Sequence, residues 1–272
     1  MSEIIFAHPR YNYDSYTDYR RLVELSQFST CFVDEIDLHS DNLYIVSPVN
    51  GEFDAHIDWR VPRKCGILHW NLERPGNGTL ADYKGQNSKR MREGKVDNVL
   101  VSDKLLSTLT GFRYVVLGSH ERLGTPGNDK IYDYVHLMCY APRRGAFFNY
   151  PNALTSMGGM KIAPNGWGQE RHESLQRSKM LINVHQDEHV YCEPLRFALA
   201  AAYGLPIITE RISRENAVYE VYDLDMWGIE HNMRHWLTLY DNNSLRLRDS
   251  GMSNRNLLTN EYSFRRCIER FV

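Results

Sequence analysis

The sequence predicts an α/β protein whose sheet is mainly parallel and doubly wound. Short apolar runs alternate along the chain with helical or loop segments, the order typical of parallel strands joined by crossover connections. The clearest case is the segment 178–210, which predicts a strand, a loop, a helix and a second strand. With 272 residues and 42% hydrophobic content, the chain can bury one large or two small cores.

The predicted elements follow in order along the chain. Strands are predicted at residues 4–7, 30–33, 43–47, 65–69, 99–102, 114–117, 134–140, 160–163, 181–184 and 207–209. Helices are predicted at residues 16–27, 194–203 and 254–271. Residues 123–129 are the best candidate for a linker, because Gly, Pro and Asn cluster there between two apolar runs.

The helix within residues 178–210 has clear boundary signals. Pro194 is tolerated in a first helical turn and disfavours helical geometry at Glu193, so the helix should begin at this pair. Gly204 should end the helix, and Pro206 prevents its continuation. Because Glu193 and Arg196 stand at a helix start, we expect both side chains to face solvent.

Polar side chains gather at the ends of these strands, and together they suit a nucleotide. Helix N-termini at the carboxyl ends of parallel strands attract anions such as a diphosphate, and a guanidinium in the first turn adds a charged fork. A carboxylate can accept hydrogen bonds from vicinal hydroxyls such as those of ribose. The alternative is a capping carboxylate beside a solvated arginine. The candidate residues are Asn183, His185, Glu193, Arg196 and Glu210.

The same residues resemble a known family. INVH, EPLR and YGLPIITE, all within residues 182–210, are similar to the donor-binding half of GT-B glycosyltransferases. GILHWNLE at residues 66–73 resembles a strand end in the first domain of the same branch. The chain departs from the wider family at Tyr191 and Leu199, which stand where many members carry two glutamates.

The resemblance implies two Rossmann-like domains that face each other across a cleft. Residues 1–128 would present the acceptor, residues 129–253 would bind a nucleotide sugar, and residues 254–272 would form a helix that packs back on the first domain. The implied donor is a UDP-sugar, whose sugar moves to an acceptor hydroxyl without an obligatory metal or other cofactor. A non-enzymatic nucleotide- or sugar-binding module and a zinc hydrolase are the alternatives.

Two further pairs of residues are candidate donor contacts. Arg143 and Arg144 follow a predicted strand and should lie at the same sheet edge as Glu193, where the resemblance implies a basic contact to the diphosphate. A solvated turn is the alternative for these arginines. Gly166 would let the backbone approach a nucleobase beside Trp167, and a core tryptophan between turn glycines is the alternative.

The catalytic base is expected in the first domain. A transfer that inverts the sugar needs a base to take the acceptor proton. Glu73, His8 and Asp14 all lie at or just beyond predicted strand ends. Glu73 has the motif match, and His8 has an ordinary pKa that suits a base, so the choice between them stays open.

A basic segment near Glu73 points to the acceptor. Residues 84–95 carry five basic residues against one acidic residue without apolar periodicity, which predicts a mobile loop. Such a loop suits a polyanion, and the chain length resembles phage-type enzymes that glycosylate hydroxymethylated bases in double-stranded DNA. A solvated loop in an enzyme acting on a saccharide or other small acceptor is the alternative. The candidate residues are Lys89, Arg90 and Arg92 for phosphates and Tyr11, Tyr13 and Trp70 for a flipped base.

Two pairs of histidines four residues apart could bind zinc if they lay on helices. His185 and His189 fall on a predicted strand end and loop, and His231 and His235 lack an obvious third ligand nearby. We therefore predict that the protein holds no metal.

The remaining features bound the class of protein. Five widely spaced cysteines without a C-x-x-C motif predict reduced thiols and a cytoplasmic protein, in the host cytoplasm if the chain is phage-encoded. The longest apolar stretch, 197–208, is about half a membrane span, so no membrane span is predicted. A net charge of −2 gives no argument for nucleic acid from the chain as a whole. Asp223 and Asp225 form a D-x-D pattern, interpreted as carboxylates beside a helix start.

Overall fold

The computed structural model describes residues 2–10, 14–47, 51–73, 75, 79–138, 141–148, 156–216, 218–242 and 245–272. The chain divides into two compact units. Unit 1 comprises Met1–Leu117 with Cys267–Val272, and unit 2 comprises Gly118–Arg266.

Unit 1 is built on a parallel sheet with the strand order β2-β1-β3-β4-β5-β6. The chain passes from β1 to β2 on one side and then to β3 on the other, so the carboxyl ends of β1 and β3 flank a topological switch point. Its strands are β1 (Ile4–His8), β2 (Ser29–Phe32), β3 (Leu43–Val46), β4 (Gly66–Asn71), β5 (Asn98–Val101) and β6 (Arg113–Tyr114). Its helices are α1 (Asp14–Leu25), α2 (Gly51–His56), α3 (Leu80–Arg92) and α4 (Lys104–Thr110).

Unit 2 is built on a second parallel sheet with the strand order β12-β11-β10-β7 and a small antiparallel hairpin, β8-β9. Its strands are β7 (Tyr132–Val135), β8 (Ser156–Met157), β9 (Met160–Lys161), β10 (Ser178–Asn183), β11 (Ile207–Thr209) and β12 (Val221–Asp223). Its helices are α5 (Pro142–Phe148), α6 (Gln169–Gln176), α7 (Pro194–Ala202), α8 (Ile229–Asp241) and α9 (Leu245–Asn256); α10 (Phe264–Phe271) begins in unit 2 and ends in unit 1.

Strand β10 and helix α7 form the centre of unit 2 because they are apolar almost throughout. Met180, Leu181 and Ile182 of β10 are all buried, as expected for a parallel strand covered on both faces. Helix α7 buries seven of its nine residues, four of them alanines, which let its backbone approach the sheet. Gly204 then ends the helix with a φ of 64°, a left-handed conformation that favours glycine.

The predicted α/β class with parallel sheets is confirmed. Each predicted strand overlaps a strand of the structure, although the one predicted at 114–117 ends at Tyr114 and residues 139–140 lie outside the described residues. The helix predicted at 194–203 is α7. The single helix predicted at 254–271 is wrong, because α9, a π-helical turn at Leu257–Glu261 and α10 share that range.

The loop predicted at residues 84–95 is also wrong, since most of it belongs to helix α3. A capping box starts this helix: the Thr79 hydroxyl accepts the backbone N–H of Asp82, and the Asp82 carboxylate accepts the backbone N–H of Thr79. Inside the helix, Arg90 donates to Asp54 at 2.9 Å. The pattern T-x-x-D at residues 79–82 is a sequence signal for this helix start. The helix itself is hard to predict because it lacks an apolar stripe.

The domain boundaries at 128/129 and 253/254 stay a prediction. Unit 2 already begins at Gly118, where the backbone runs so close to Tyr262 and Phe264 that a Cβ would collide with it. Residues 267–272 belong to unit 1, and the Arg113 guanidinium stands 4.0 Å above the Phe271 ring.

Candidate functional site

The candidate site of unit 2 lies at the carboxyl ends of β7 and β10, where the chain changes sides of the sheet. Tyr134 of β7 bridges in parallel to Ile162 on one side, and β10 pairs with β7 on the other. The connection from residue 162 to β10 therefore crosses over β7 and makes a topological switch point there. Ligands of open α/β sheets bind outside such points.

Glu193 stands at this point as the centre of a hydrogen-bonded network. Its Oε2 accepts from the Asn183 amide at 2.7 Å and lies 3.1 Å from the His185 Nδ1. Its Oε1 lies 2.9 Å from Nη1 of Arg196 and 3.8 Å from Nη2 of Arg144. These residues therefore lie at one sheet edge, as the sequence predicts.

The expectation that Glu193 faces solvent is wrong. Its side chain is only 12% exposed, and it caps no backbone N–H of α7. Burial raises the pKa of the carboxyl, but the charge of Arg196 and hydrogen bonds from His185 and Asn183 outweigh burial and hold the pKa well below its ordinary value. The carboxylate therefore stays ionised and ties β10 to the start of α7.

Arg143 forms a second ion pair at the same edge. Its Nη1 donates to Glu210 Oε2 at 2.7 Å and to the His185 carbonyl at 3.1 Å, and its Nη2 donates to the other Glu210 oxygen. The Glu210 Oε2 also accepts the backbone N–H of His185 at 2.6 Å. The pair thus fixes the loop after β10 against the end of β11.

Arg144 is buried, so a solvated turn is the wrong description of this pair of arginines. Only 1% of Arg144 is exposed, and its Nε donates to the Val184 carbonyl at 2.8 Å. Arg143 and Arg144 both have carboxylate partners, Glu210 and Glu193. A phosphate would have to compete with these carboxylates for either guanidinium.

Some other guanidinium N–H groups of unit 2 have no carboxylate partner among the described residues. Arg196 uses Nη1 for Glu193 and Asn183, while its Nε and Nη2 make no hydrogen bond among the described residues. Arg211 and Arg214 line a cavity of about 570 Å³ beside the edge strand β12, and no described side chain pairs with either guanidinium. No sequence motif marks these two arginines, which follow β11.

Trp167 is partly exposed, so the core alternative is wrong for this residue. It is 38% exposed, and the Arg171 guanidinium stands 4.0 Å from its ring centre. Gly166 has a local reason to be glycine, because a Cβ there would lie 2.7 Å from the Glu170 Cβ. One face of the tryptophan is therefore taken by a cation from helix α6.

The candidate bases of unit 1 lie in three separate segments: the end of β1, the stretch after β4 and the start of α1. His8 ends β1 at the switch point and is 8% exposed; burial, then the charge of Arg20, lowers its pKa to about 4. His8 therefore lacks the ordinary histidine pKa that made it a candidate base. Glu73 is exposed just beyond β4, and its carbonyl accepts the Tyr83 hydroxyl. Asp14 is the first residue of α1, and its side chain lies outside the described parts.

The predicted acceptor residues do not form one group. Trp70 is fully buried and donates to the Ser102 hydroxyl at 2.9 Å, so its assignment to a flipped base is wrong. Tyr11 and Tyr13 lie outside the described residues. In helix α3, Arg90 is paired with Asp54, whereas Lys89 and Arg92 are exposed.

The structure adds a third metal-ligating side chain to the first histidine pair. One ligand atom from each of His185, His189 and Glu193 lies within 4.8 Å of the other two, the one such group among the described residues. Sequence spacing alone pairs His189 with His185, whereas the position of Glu193 beside them follows only from the fold.

The D-x-D pattern does not lie at a helix start. Asp223 ends strand β12, and Asp225 lies in the irregular segment between β12 and α8.

Comparisons with known proteins give the fold class. No protein-family model and no curated protein matches the chain. The chain is similar to the crystal structure of Anabaena Alr3699/HepE in complex with UDP and glucose, with a TM-score of 0.62, 9% identity, and coverage of 100% of this chain and 99% of that one. The likeness and the two parallel sheets confirm the predicted class of two Rossmann-like, GT-B domains.

A second structure, the pneumococcal O-GlcNAc transferase GtfA in complex with UDP and GlcNAc, is more distant. It has a TM-score of 0.48 and 11% identity, and the chain covers 57% of its length. This likeness adds nothing to the fold assignment.

Among the helices of the described residues, none combines the length and the apolar character that a membrane span requires.

Proposed function

We propose that the protein is a glycosyltransferase that moves a sugar from a nucleotide sugar to an acceptor hydroxyl. The observation that carries the proposal is the Glu193 network at the switch point of unit 2, where a buried carboxylate and several guanidiniums converge on one sheet edge. The similar HepE structure was solved with UDP and glucose, which supports a UDP-sugar as the donor.

The donor diphosphate is assigned to the start of α7 and to Arg196. The first-turn N–H groups of a helix favour an anion, and the two remaining donor groups of Arg196 can form charge-assisted hydrogen bonds to it. Arg211 and Arg214, which follow β11 and line a cavity beside β12, are further candidate cations for the diphosphate. Arg143 contributes by exchanging Glu210 for phosphate or by holding the loop that carries His185.

Glu193 and Trp167 are assigned to the nucleoside. The Glu193 carboxylate, ionised at neutral pH, can accept the ribose hydroxyls if the ligand displaces the Asn183 amide or the His185 ring. Trp167 keeps part of its ring exposed and can wall the base. These assignments support a transferase that needs no metal, in which helix dipole and arginines stabilise the departing diphosphate.

Glu73 is the proposed base in unit 1, ahead of His8 and Asp14. It is exposed beyond a strand end, whereas burial makes His8 a weak base with a pKa of about 4. A side chain outside the sheet can reach an acceptor hydroxyl without rearrangement of the core. The expected loss on Glu73→Gln is a factor of about 100 or more in turnover with donor affinity unchanged.

A saccharide or another small hydroxyl compound is the proposed acceptor. With Arg90 held by Asp54, two exposed cations remain from the three residues first assigned to DNA phosphates. A hydroxymethylated base in double-stranded DNA is the second candidate, supported by the exposed basic residues Lys84, Lys89 and Arg92 along α3.

The deciding experiment is a thermal-shift screen of the chain against a panel of nucleotide sugars. A ligand at 100 times its dissociation constant stabilises the fold by about 2.7 kcal/mol, which raises the melting temperature measurably. Donor hydrolysis or transfer would then separate an enzyme from a binding module. The proposal fails if no nucleotide or nucleotide sugar shifts the transition.

A further inference from the structure

We propose that His185, His189 and Glu193 form a binding site for a divalent transition metal of the zinc class. Zinc prefers imidazole nitrogen and carboxylate oxygen, and two histidines with one glutamate are a known set of three protein ligands for it. The three ligand atoms already lie within 4.8 Å of one another. The site goes beyond the proposed transferase activity, which uses no metal.

One of the ligand separations already matches that around a tetrahedral zinc ion. Ligands about 2.0 Å from a tetrahedral zinc stand about 3.3 Å apart, and the His185 Nδ1 lies 3.1 Å from the Glu193 Oε2. The rings of His185 and His189 are 4.1 Å apart between their centres. His189 must approach slightly, which the loop at residues 186–193 allows because it has no helix or strand geometry.

A second contact orients His185 for the metal. When Nδ1 binds a metal, the proton resides on Nε2, and that nitrogen faces the Arg211 carbonyl at 3.4 Å. A metal-binding histidine usually donates its other N–H to such an oxygen, which fixes the tautomer and the plane of the ring. His185 is 1% exposed, so its ring is already held in place.

The carboxylate of Glu193 divides its two oxygens between cations and the histidine. Arg196 and Arg144 approach Oε1, whereas His185 and Asn183 approach Oε2. A metal on Oε2 therefore replaces a hydrogen bond and leaves the arginine side of the carboxylate intact. The two guanidiniums weaken the attraction for a dication, so binding should be reversible and moderate in strength.

Metal binding should compete with the nucleotide. The metal occupies the carboxylate that the proposed function assigns to the nucleoside, so zinc and UDP should weaken each other's binding by the same factor. This consequence rests on the proposed function. The metal site itself does not, because it can be measured without any nucleotide.

The test is calorimetric titration of Zn²⁺ into the chelator-treated 272-residue chain, with visible absorption of Co²⁺ as a second readout. One site per chain is expected, and His189→Ala should raise the dissociation constant at least tenfold. The double variant His231→Ala/His235→Ala is the control, because this exposed pair has no third ligand among the described residues. Because His189 also accepts the Tyr191 backbone N–H, circular dichroism of the metal-free His189→Ala variant checks that it is folded.

Each outcome decides the matter. Absence of zinc binding, binding unchanged in His189→Ala, or binding lost in the His231/His235 control would overturn the metal site. Zinc binding that requires His189 but leaves UDP affinity unchanged keeps the metal site and removes Glu193 from the nucleoside contact. A protein that binds zinc at this site and no nucleotide loses the proposed function alone.

Discussion

The carboxylate of Glu193 and the guanidinium of Arg196 lie 2.9 Å apart across the first turn of α7, and the buried Arg144 approaches the same oxygen at 3.8 Å. One carboxylate is therefore the counter-ion of two arginines in unit 2. Buried ion pairs of this kind add little net stability as a whole, but removal of one member leaves the others without a counter-charge.

Glu193→Ala should therefore destabilise the protein strongly, because Arg144 and Arg196 would lose their counter-ion. The expected loss in the free energy of unfolding is about 3–5 kcal/mol, measured by urea denaturation. Glu230→Ala is the matched control: its partner Arg234 is half exposed, and the expected change is about 0.5 kcal/mol or less. A loss below about 1 kcal/mol in Glu193→Ala would mean that Arg144 and Arg196 do not depend on this counter-ion.

Arg143 and Glu210 should show strong coupling in a double-mutant cycle. Their paired contacts also hold the backbone of His185 through both its N–H and its carbonyl, so either single alanine change breaks more than one interaction. We expect a coupling energy of about 1–3 kcal/mol from the unfolding free energies of Arg143→Ala, Glu210→Ala and the double variant. Additive losses would show that the pair contributes no joint stability.

The sequence allowed the elements around this site to be predicted, but not their contacts. Pro194 and Gly204 marked both ends of α7, and the apolar run before His185 marked β10, because these signals are local. The depth of Glu193 was mispredicted, since burial depends on Arg144, which lies 49 positions earlier in the chain.

For helix α3, the element itself was predicted wrongly, and not only its contacts. Its polar surface concealed the helix, because most of its residues are exposed and leave no apolar period to detect. The capping box at Thr79 and the pair of Arg90 with Asp54, 36 residues apart, stabilise it instead. The assignment of Trp70 to a flipped base was wrong for a similar reason. The sequence does not show which face of the sheet a tryptophan at a strand end points to.

The exposed cations of α3 and Arg90 should behave differently on substitution. Lys89→Ala with Arg92→Ala should leave the free energy of unfolding within about 0.5 kcal/mol, because both side chains are exposed. Arg90→Ala should lower the free energy of unfolding more, since Asp54 then keeps one described partner, Lys95.

Duplex DNA retention measured against salt would test the second acceptor candidate with the same variants. If α3 contacts phosphates, the Lys89/Arg92 double variant should bind more weakly and with a shallower salt slope by about two ions. Retention that is negligible at low salt, or unchanged in the double variant, would exclude DNA held by this helix.

His69 should make unit 1 sensitive to acid. Its ring is 4% exposed, its Nδ1 has no hydrogen-bond partner among the described residues, and burial lowers its pKa to about 3 from an ordinary 6.5. Because the folded pKa is the lower one, the unfolded chain binds the proton first as the pH falls. Stability is therefore complete above pH 6.5 and declines from there down to about pH 3.

His69→Gln removes this proton uptake and provides the measurement. Between pH 7 and pH 5 the wild-type protein should lose about 2 kcal/mol more of its unfolding free energy than the variant, as determined by urea denaturation at each pH. His39→Gln is the control, because His39 is exposed and its replacement should leave the wild-type pH dependence in place. Equal acid sensitivity of wild type and His69→Gln would mean that the His69 ring gains a proton as readily in the folded protein as in the unfolded chain.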